Sequence, residues 1–353
     1  MKISAILGLA ALAGAANADV QLYNFATVDI SGLTGIGNNP SAIAWNGSDL
    51  YVGGYNNSGG TANTGIARVQ WALSGSPSTS TFGVFSTNNA RGITGLAWKN
   101  GKLAAALDNG AGSGDSVRVF DAAGNLSWRI GTSAPDTSRR ANGVAFDPGF
   151  NGAGTNQGVA YLSIGSGRRH LLNDTTGAYI NGQNAGGIIN FAPTSTTWRD
   201  LVFDSATGDL YTRESNRIGK AVRNADNGFT GAASTVIAAL TTASAVDNQN
   251  IEFMNLSGNK FLIANDRSSV SGGQAFASIV KMFDTAGVAQ TINWNGFTAA
   301  SGNGAYDFSY DAGSQTLAVS DFVNRKVYIF AVPAPSAALV LGIAGVMAGR
   351  RRR

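Results

Sequence analysis

The sequence predicts an all-β chain folded as a six-bladed β-propeller, each blade built of four antiparallel strands. Three observations carry that expectation. A short apolar strand ending in an aromatic residue recurs six times, with the aromatics at Trp45, Trp98, Phe146, Phe203, Phe253 and Tyr310. Their spacings run from 48 to 57 residues and average 53, a period that fits one four-stranded unit per copy. The last copy runs out after three strands at Val332, while a spare strand-like segment, residues 20–30, stands before the first copy. Using the N-terminal strand to complete the last blade closes the ring and removes sheet edges that would invite aggregation.

The elements follow in chain order. Residues 1–18 have the form of a secretory signal helix: Lys2 at the start, an apolar run over residues 3–15, then Ala16-Asn17-Ala18 with small residues where a signal peptidase requires them. The propeller body is then residues 19–332. In each copy the aromatic is followed by a turn and a second strand, as in Ala42-Ile43-Ala44-Trp45, Asn46-Gly47-Ser48-Asp49 and Leu50-Tyr51-Val52. Third strands are expected at 66–71, 117–120, 217–222, 279–283 and 326–330. Fourth strands are expected at 82–85, 126–130, 236–240 and 289–294. Asp121-Ala122-Ala123-Gly124 and Asp284-Thr285-Ala286-Gly287 supply the turn chemistry between them, Asp to bond the turn and Gly for the positive φ. The one basic cluster of the body, Arg168-Arg169-His170, is expected in a loop between strands. The Gly-rich stretches 56–65, 110–114 and 149–158 read as surface loops rather than phosphate cradles.

Residues 333–353 form a second tripartite segment. Pro333 and Pro335 lie in a short Pro motif, residues 337–349 are uncharged, and Arg350, Arg351, Arg352 and Arg353 close the chain. As a helix the uncharged run would rise only about 20 Å, short of a ~30 Å hydrocarbon core. The terminal Arg cluster would stay on the cytoplasmic side. This order of parts resembles the PEP-CTERM sorting tail of bacterial exported proteins, with Ala334 where that family usually carries Glu. The resemblance covers about 22 residues. It implies signal peptidase and an exosortase-like processing enzyme as partners, transient inner-membrane anchoring by a C-terminal hydrophobic helix, and a final place at the cell surface, in the outer envelope or outside the cell. A second resemblance covers residues 317–330. Asp321, Asn324 and Arg325 match the Asp-x-x-Asn-Arg loop of an NHL-type blade, which implies fold rather than function.

Composition narrows the function classes. The chain counts 25 basic against 21 acidic residues, a net +4. Lys2 and the four terminal Arg supply five of those cations, so the body carries about −1. A near-neutral body is not expected to grasp nucleic acid. The absence of cysteine rules out disulfides, zinc–thiolate sites and a Cys nucleophile, and a single histidine, His170, rules out a His-rich metal site. No Gly-x-Ser-x-Gly elbow or P-loop is present, and no catalytic residue is assigned.

Two groups of residues remain as candidate sites. Three positions before each aromatic the copies read Ala42, Gly95, Gly143, Asp200, Asn250 and Asp307, so blades four to six place oxygen-bearing side chains at one level of the channel. Glu252 shares the strand face of Asn250. Asp200, Asn250 and Asp307 could hold Ca²⁺, which takes six to eight oxygens, or could satisfy backbone amides near the axis. The loops entering the inner strands supply Asn38, Asn39, Arg91, Asn142, Trp198, Arg199, Gln249 and Tyr306, a mixture suited to sugar or polyanion recognition. Three readings follow. The first is an exported binding or scaffold propeller whose partners are polysaccharide or surface proteins, in an exopolysaccharide or biofilm matrix. The second is a Ca²⁺-supported hydrolase similar to six-bladed lactonases; that family draws a metal-binding acid from the first blade, and residues 40–45 contain none. The third is a structural surface-layer component with no discrete ligand.

Overall fold

The structure is a computed structural model of the 353-residue chain. It describes residues 19–333 apart from positions 37–38, 56–63, 75, 86–91, 109–116, 131–140, 153–157, 164–168, 181–187, 190–197, 215, 227, 230–233, 238–239, 241–249, 257, 267–275 and 299–303. The expected signal helix and the sorting tail from Ala334 onward lie outside the described residues, as do the Gly-rich runs at 56–63, 109–116 and 153–157.

Six antiparallel blades form a ring. The first holds Asn39–Trp45, Leu50–Tyr55, Thr64–Gln70 and Ser78–Phe85, and the second Gly92–Lys99, Lys102–Asp108, Val117–Asp121 and Leu126–Arg129. The third holds Ala141–Asp147, Gly158–Ser163, Arg169–Asn173 and Ile188–Ile189, and the fourth Trp198–Phe203, Leu210–Glu214, Ile218–Ala221 and Ser234–Ile237. The fifth holds Ile251–Leu256, Asn259–Asn265, Val280–Asp284 and Ala289–Gln290. The sixth holds Ala305–Asp311, Thr316–Asp321 and Lys326–Ala331, completed by the N-terminal strand Val20–Asp29. That last pairing runs antiparallel from Tyr23 opposite Ala331 to Asp29 opposite Lys326. Leu22 and Ile30 are fully buried, so closure rests on apolar anchors at both ends of the strand as well as on its hydrogen bonds.

Apolar clusters fill the spaces between successive blades. Val28, Ile43, Val52, Ala318 and Ile329 join the sixth blade to the first. Leu22, Met254, Ile263, Phe308 and Phe330 join the fifth to the sixth. Each blade is therefore sandwiched, and its second strand is buried on both faces: Leu210–Glu214 and Thr316–Asp321 are buried throughout.

Two expectations are corrected. The segment 289–294 is not a single fourth strand of the fifth blade. Ala289–Gln290 pairs there for two residues, and Ile292–Asn295 then crosses to run parallel to Val20–Asp29 on the sixth blade. The crossing seats Trp294 and Phe297 against Phe330 and against Phe276, which a single helical turn, Phe276–Ile279, delivers. Burying four rings together favours the crossing over two more ladder bonds in the fifth blade. The second correction concerns Arg169 and His170. They do not lie in a loop but begin the third strand of the third blade, pairing with Leu162 and Tyr161. Arg168 is outside the described residues.

Candidate functional site

The innermost strand of every blade faces the channel axis. Five of the six carry a register shift at the same level, at Pro40/Ala42, Ile93/Gly95, Asn142/Val144, Trp198/Asp200 and Ala305/Phe308. A bulge bends its strand and re-aims the next side chain. Polar side chains at this level reach across to the neighbouring blade. Ser41 Oγ donates to the Ile93 carbonyl at 2.5 Å, and Thr94 Oγ1 to the Ala141 carbonyl at 2.6 Å. Asp200 Oδ2 accepts the Ile251 N–H at 3.0 Å. Glu252 Oε2 accepts the Tyr310 N–H at 3.2 Å. Asp307 Oδ2 accepts the Ile43 N–H at 2.7 Å, and Ser309 Oγ the Trp45 N–H at 2.9 Å. These bonds stitch the first blade to the second, the second to the third, and the fourth through the sixth back to the first.

The structure brings Asp200, Asn250, Glu252 and Asp307 together, as the repeat alignment expects. Asn250 Nδ2 donates to Asp307 Oδ1 at 2.8 Å. Every carboxylate oxygen of the three acids accepts a backbone N–H: Leu201 and Ile251 for Asp200, Phe253 and Tyr310 for Glu252, Phe308 and Ile43 for Asp307. Burial nevertheless pushes the acids up, to about 8 for Glu252 and about 7 for Asp307. Asp200 is raised well above the ordinary carboxyl range by burial and by the neighbouring Asp307 charge. Losing water costs the charged forms more than the N–H bonds return.

This donor set suits structure better than Ca²⁺. Asn250 turns its NH₂ toward Asp307, and the carboxylate oxygens already serve backbone amides. Among the described residues no three carboxylate or imidazole side chains converge as a cation site.

Beside the carboxyl cluster the channel widens into a cavity of about 440 Å³. All six repeat aromatics line it: Trp45, Trp98, Phe146, Phe203, Phe253 and Tyr310. Asp200, Glu252, Asp307 and Ser309 contribute its polar wall, with Lys99 at the end of its inner strand and Asn100 in the turn that follows. Trp98, Phe146 and Tyr310 are half-buried and present ring surface. Trp98 is held by stacking on Tyr51, with centroids 4.9 Å apart, and Tyr310 by its hydroxyl donating to the Asn255 carbonyl. Lys99, the one cation among the lining residues, donates to the Asp147 carbonyl at 3.2 Å, and burial lowers its pKa.

The cavity thus opens where the inner strands end, not where they begin. Of the residues expected in the entering loops, Asn142 and Tyr306 lie instead inside the inner strands Ala141–Asp147 and Ala305–Asp311 and are buried, and Tyr306 stacks on Phe322. Arg91 lies outside the described residues, and Arg199 lies in the inner strand of the fourth blade with its side chain outside them. In the sequence the six aromatics served as repeat markers; the structure makes them the wall of the cavity. Ser41, Thr94 and Ser309 escape the repeat alignment because they are not its acidic or amide positions. Their signal is a hydroxyl inside an otherwise apolar inner strand.

No protein-family model matches the chain, and no curated protein matches it in sequence. Its fold is similar to solved structures. An auxiliary nutrient binding protein from Bacteroides thetaiotaomicron VPI-5482 superposes with a TM-score of 0.53 at 11% identity, covering 82% of this chain and 68% of that one. One from Bacteroides ovatus ATCC 8483 gives 0.53 at 13% identity, covering 83% and 70%. A structural genomics protein of unknown function from Bacteroides thetaiotaomicron VPI-5482 gives 0.52 at 12% identity, covering 87% and 72%. At these identities the likeness speaks for architecture alone, and with the strand order above it establishes the chain as a six-bladed β-propeller.

Proposed function

We propose that this chain is an exported binding propeller. Its signal segment and sorting tail carry it to the cell surface or beyond, and its channel cavity seats a polyhydroxylated ligand such as a saccharide unit of a surface polysaccharide. The observation that supports the reading is the cavity of about 440 Å³ walled by six aromatic residues and by carboxyl and hydroxyl groups. Half-buried rings offer flat apolar faces to the C–H side of a sugar, while the polar wall meets its hydroxyls. A concave site with a few convergent polar groups is the usual form of a small-molecule seat. The description of two structural neighbours as nutrient binding proteins agrees with it.

Metal-supported lactone hydrolysis is the competing reading. It needs open carboxylate oxygens and an acid from the first blade. Asp200, Glu252 and Asp307 spend their oxygens on backbone amides, and Asn39–Trp45 contains no acid. Titration calorimetry of the purified chain against a panel of neutral and uronic oligosaccharides tests the binding reading. Saturable binding that is lost in Trp98→Ala supports it. A flat response across the panel on the wild type overturns it.

A further inference from the structure

Among the described residues the large exposed apolar side chains gather toward one face of the ring. In each blade the turn after the inner strand and the turn between third and fourth strands lie on one face. In the first blade, Leu50 pairs with both Trp45 and Val69, and the Ala72 N–H donates to the Ser48 carbonyl at 2.9 Å. The cavity mouth opens on this same face, beside Lys99, Pro148, Ser205 and Asn255. Among the described residues eight large apolar side chains are exposed, and six stand at this face: Tyr23, Trp71, Leu73, Leu126, Val222 and Val288. They come from blades six, one, one, two, four and five. Of the other two described, Val323 stands on the opposite face, in the loop between the second and third strands of the sixth blade, and Phe25 sits partway along the closing strand.

Trp71 is the most exposed of them, at 64%. It sits at the tip of its hairpin with φ of +48°, in the left-handed region that a bulky side chain avoids. The strain is held in place: the Trp71 N–H donates to Asp49 Oδ1, and Asp49 is itself paired with Arg68 at 2.6 Å. A large ring fixed outward on a strained, pinned turn is what a contact surface needs and a folding core does not.

The chain itself indicates what this face meets. Lys326–Ala331 runs toward it, with Ala331 opposite both Thr316 and Tyr23, and Val332, buried and bonded to the Gln315 carbonyl, is the last core residue before the chain leaves the ring there. The residues that follow are the Pro motif, the uncharged run 337–349 and four Arg. We infer that the hairpin face is a membrane-docking face: while the tail is inserted, the rim formed by Tyr23, Trp71, Leu73, Leu126, Val222 and Val288 rests in the bilayer interface. The inference rests on the tail acting as an anchor, as in the function proposed above. Arg68, Lys102, Lys220 and Lys260 on this face are each paired with an Asp, and Asp121 and Asp284 turn their carboxylates onto their own turns. The contact is therefore apolar rather than charge-driven, and two aromatics with several aliphatics at headgroup depth are its natural form. Docking covers the cavity mouth, so the ligand seat opens to solvent when the tail is cut.

The chain contains no cysteine, which makes single-site labelling clean. The chain from Asp19 to Arg353 is reconstituted with phosphatidylcholine vesicles carrying a brominated lipid quencher. Fluorescent labels are placed through Leu73→Cys and Val288→Cys on the docking face and through Val323→Cys on the other. The expected result is at least twofold stronger quenching at 73 and 288 than at 323. Co-flotation with equal quenching at all three positions overturns the docking face but keeps the anchor, and leaves that surface to a protein partner. Failure to co-float overturns the anchor and the docking face together.

Discussion

Asp307 in the sixth blade accepts the backbone N–H of Ile43 in the first, at 2.7 Å, so the ring closes along its inner wall as well as at its outer edge. The same carboxyl accepts from Phe308 and from the Asn250 side chain. One side chain therefore joins three blades.

Asp307→Ala strands three buried donors at once. Each unsatisfied donor costs about 1–3 kcal/mol, so we expect a loss of about 3 kcal/mol or more of unfolding free energy, read from urea titration. Ser309→Ala releases only the Trp45 N–H and is expected to cost about 1 kcal/mol. Equal losses in the two variants would refute the seam described here.

Stability is expected to fall as pH rises from 5 to 8.5. Asp200, Glu252 and Asp307 bind protons more tightly in the folded chain than in the unfolded one. Their contribution is fully present below the ordinary carboxyl pKa near 4 and is lost as pH climbs through about 7 and 8. Carboxyls shifted the other way, Asp29 and Asp204 among them, stabilise above the ordinary value, and that contribution is lost only as pH falls below it, outside this range. Thermal melts across this range check the sign. Glu252→Gln, which has no proton to lose, should flatten the slope.

Arg223 and Asp147 form a fully buried pair between the fourth and third blades, 2.8 Å apart with neither side chain exposed. Arg223→Ala leaves a buried carboxylate facing a cavity, and we expect about 3–5 kcal/mol of destabilisation. The double variant Arg223→Met with Asp147→Asn should recover a large part of that. A double-mutant cycle by chemical denaturation measures the coupling.

Between the second and third blades the backbones touch directly. A Cβ on Gly95 would sit 2.9 Å from the Cα of Gly143. Gly95→Ala must push the two inner strands apart and should cost about 1–3 kcal/mol. An unchanged melting temperature would show that the ring can dilate there.

Much of this architecture is legible in the sequence because blades repeat, and repetition exposes what single elements hide. The six aromatics fix the blade count, and the three-strand remnant before Val332 makes residues 20–30 the closing strand. What is not legible depends on contacts between copies. The crossing of Ile292–Asn295 to the sixth blade is decided by the packing of Trp294 and Phe297 around Phe276, three residues that no repeat places together. The third strand of the third blade hides because Arg169 and His170 look like loop residues. At the site, the level of Asp200, Asn250 and Asp307 is readable from the spacing to the aromatic. Which way the Asp200 and Asp307 oxygens face is not, because one donor to each is an amide of the next blade.

The two ends of the propeller are neighbours: Tyr23 lies opposite Ala331, and the tail follows the buried Val332. A pull on an anchored tail therefore enters the sixth blade through Lys326–Ala331, which is flanked by Thr316–Asp321 on one side and by Val20–Asp29 on the other. Drag on the body loads those two ladders from one end. The strand lies along the pull, so its bonds to both neighbours are loaded in shear and share the force. The strand that closes the ring, Val20–Asp29, thus shares with Thr316–Asp321 whatever load the tail transmits, and ring closure and tail attachment rest on the same hydrogen bonds.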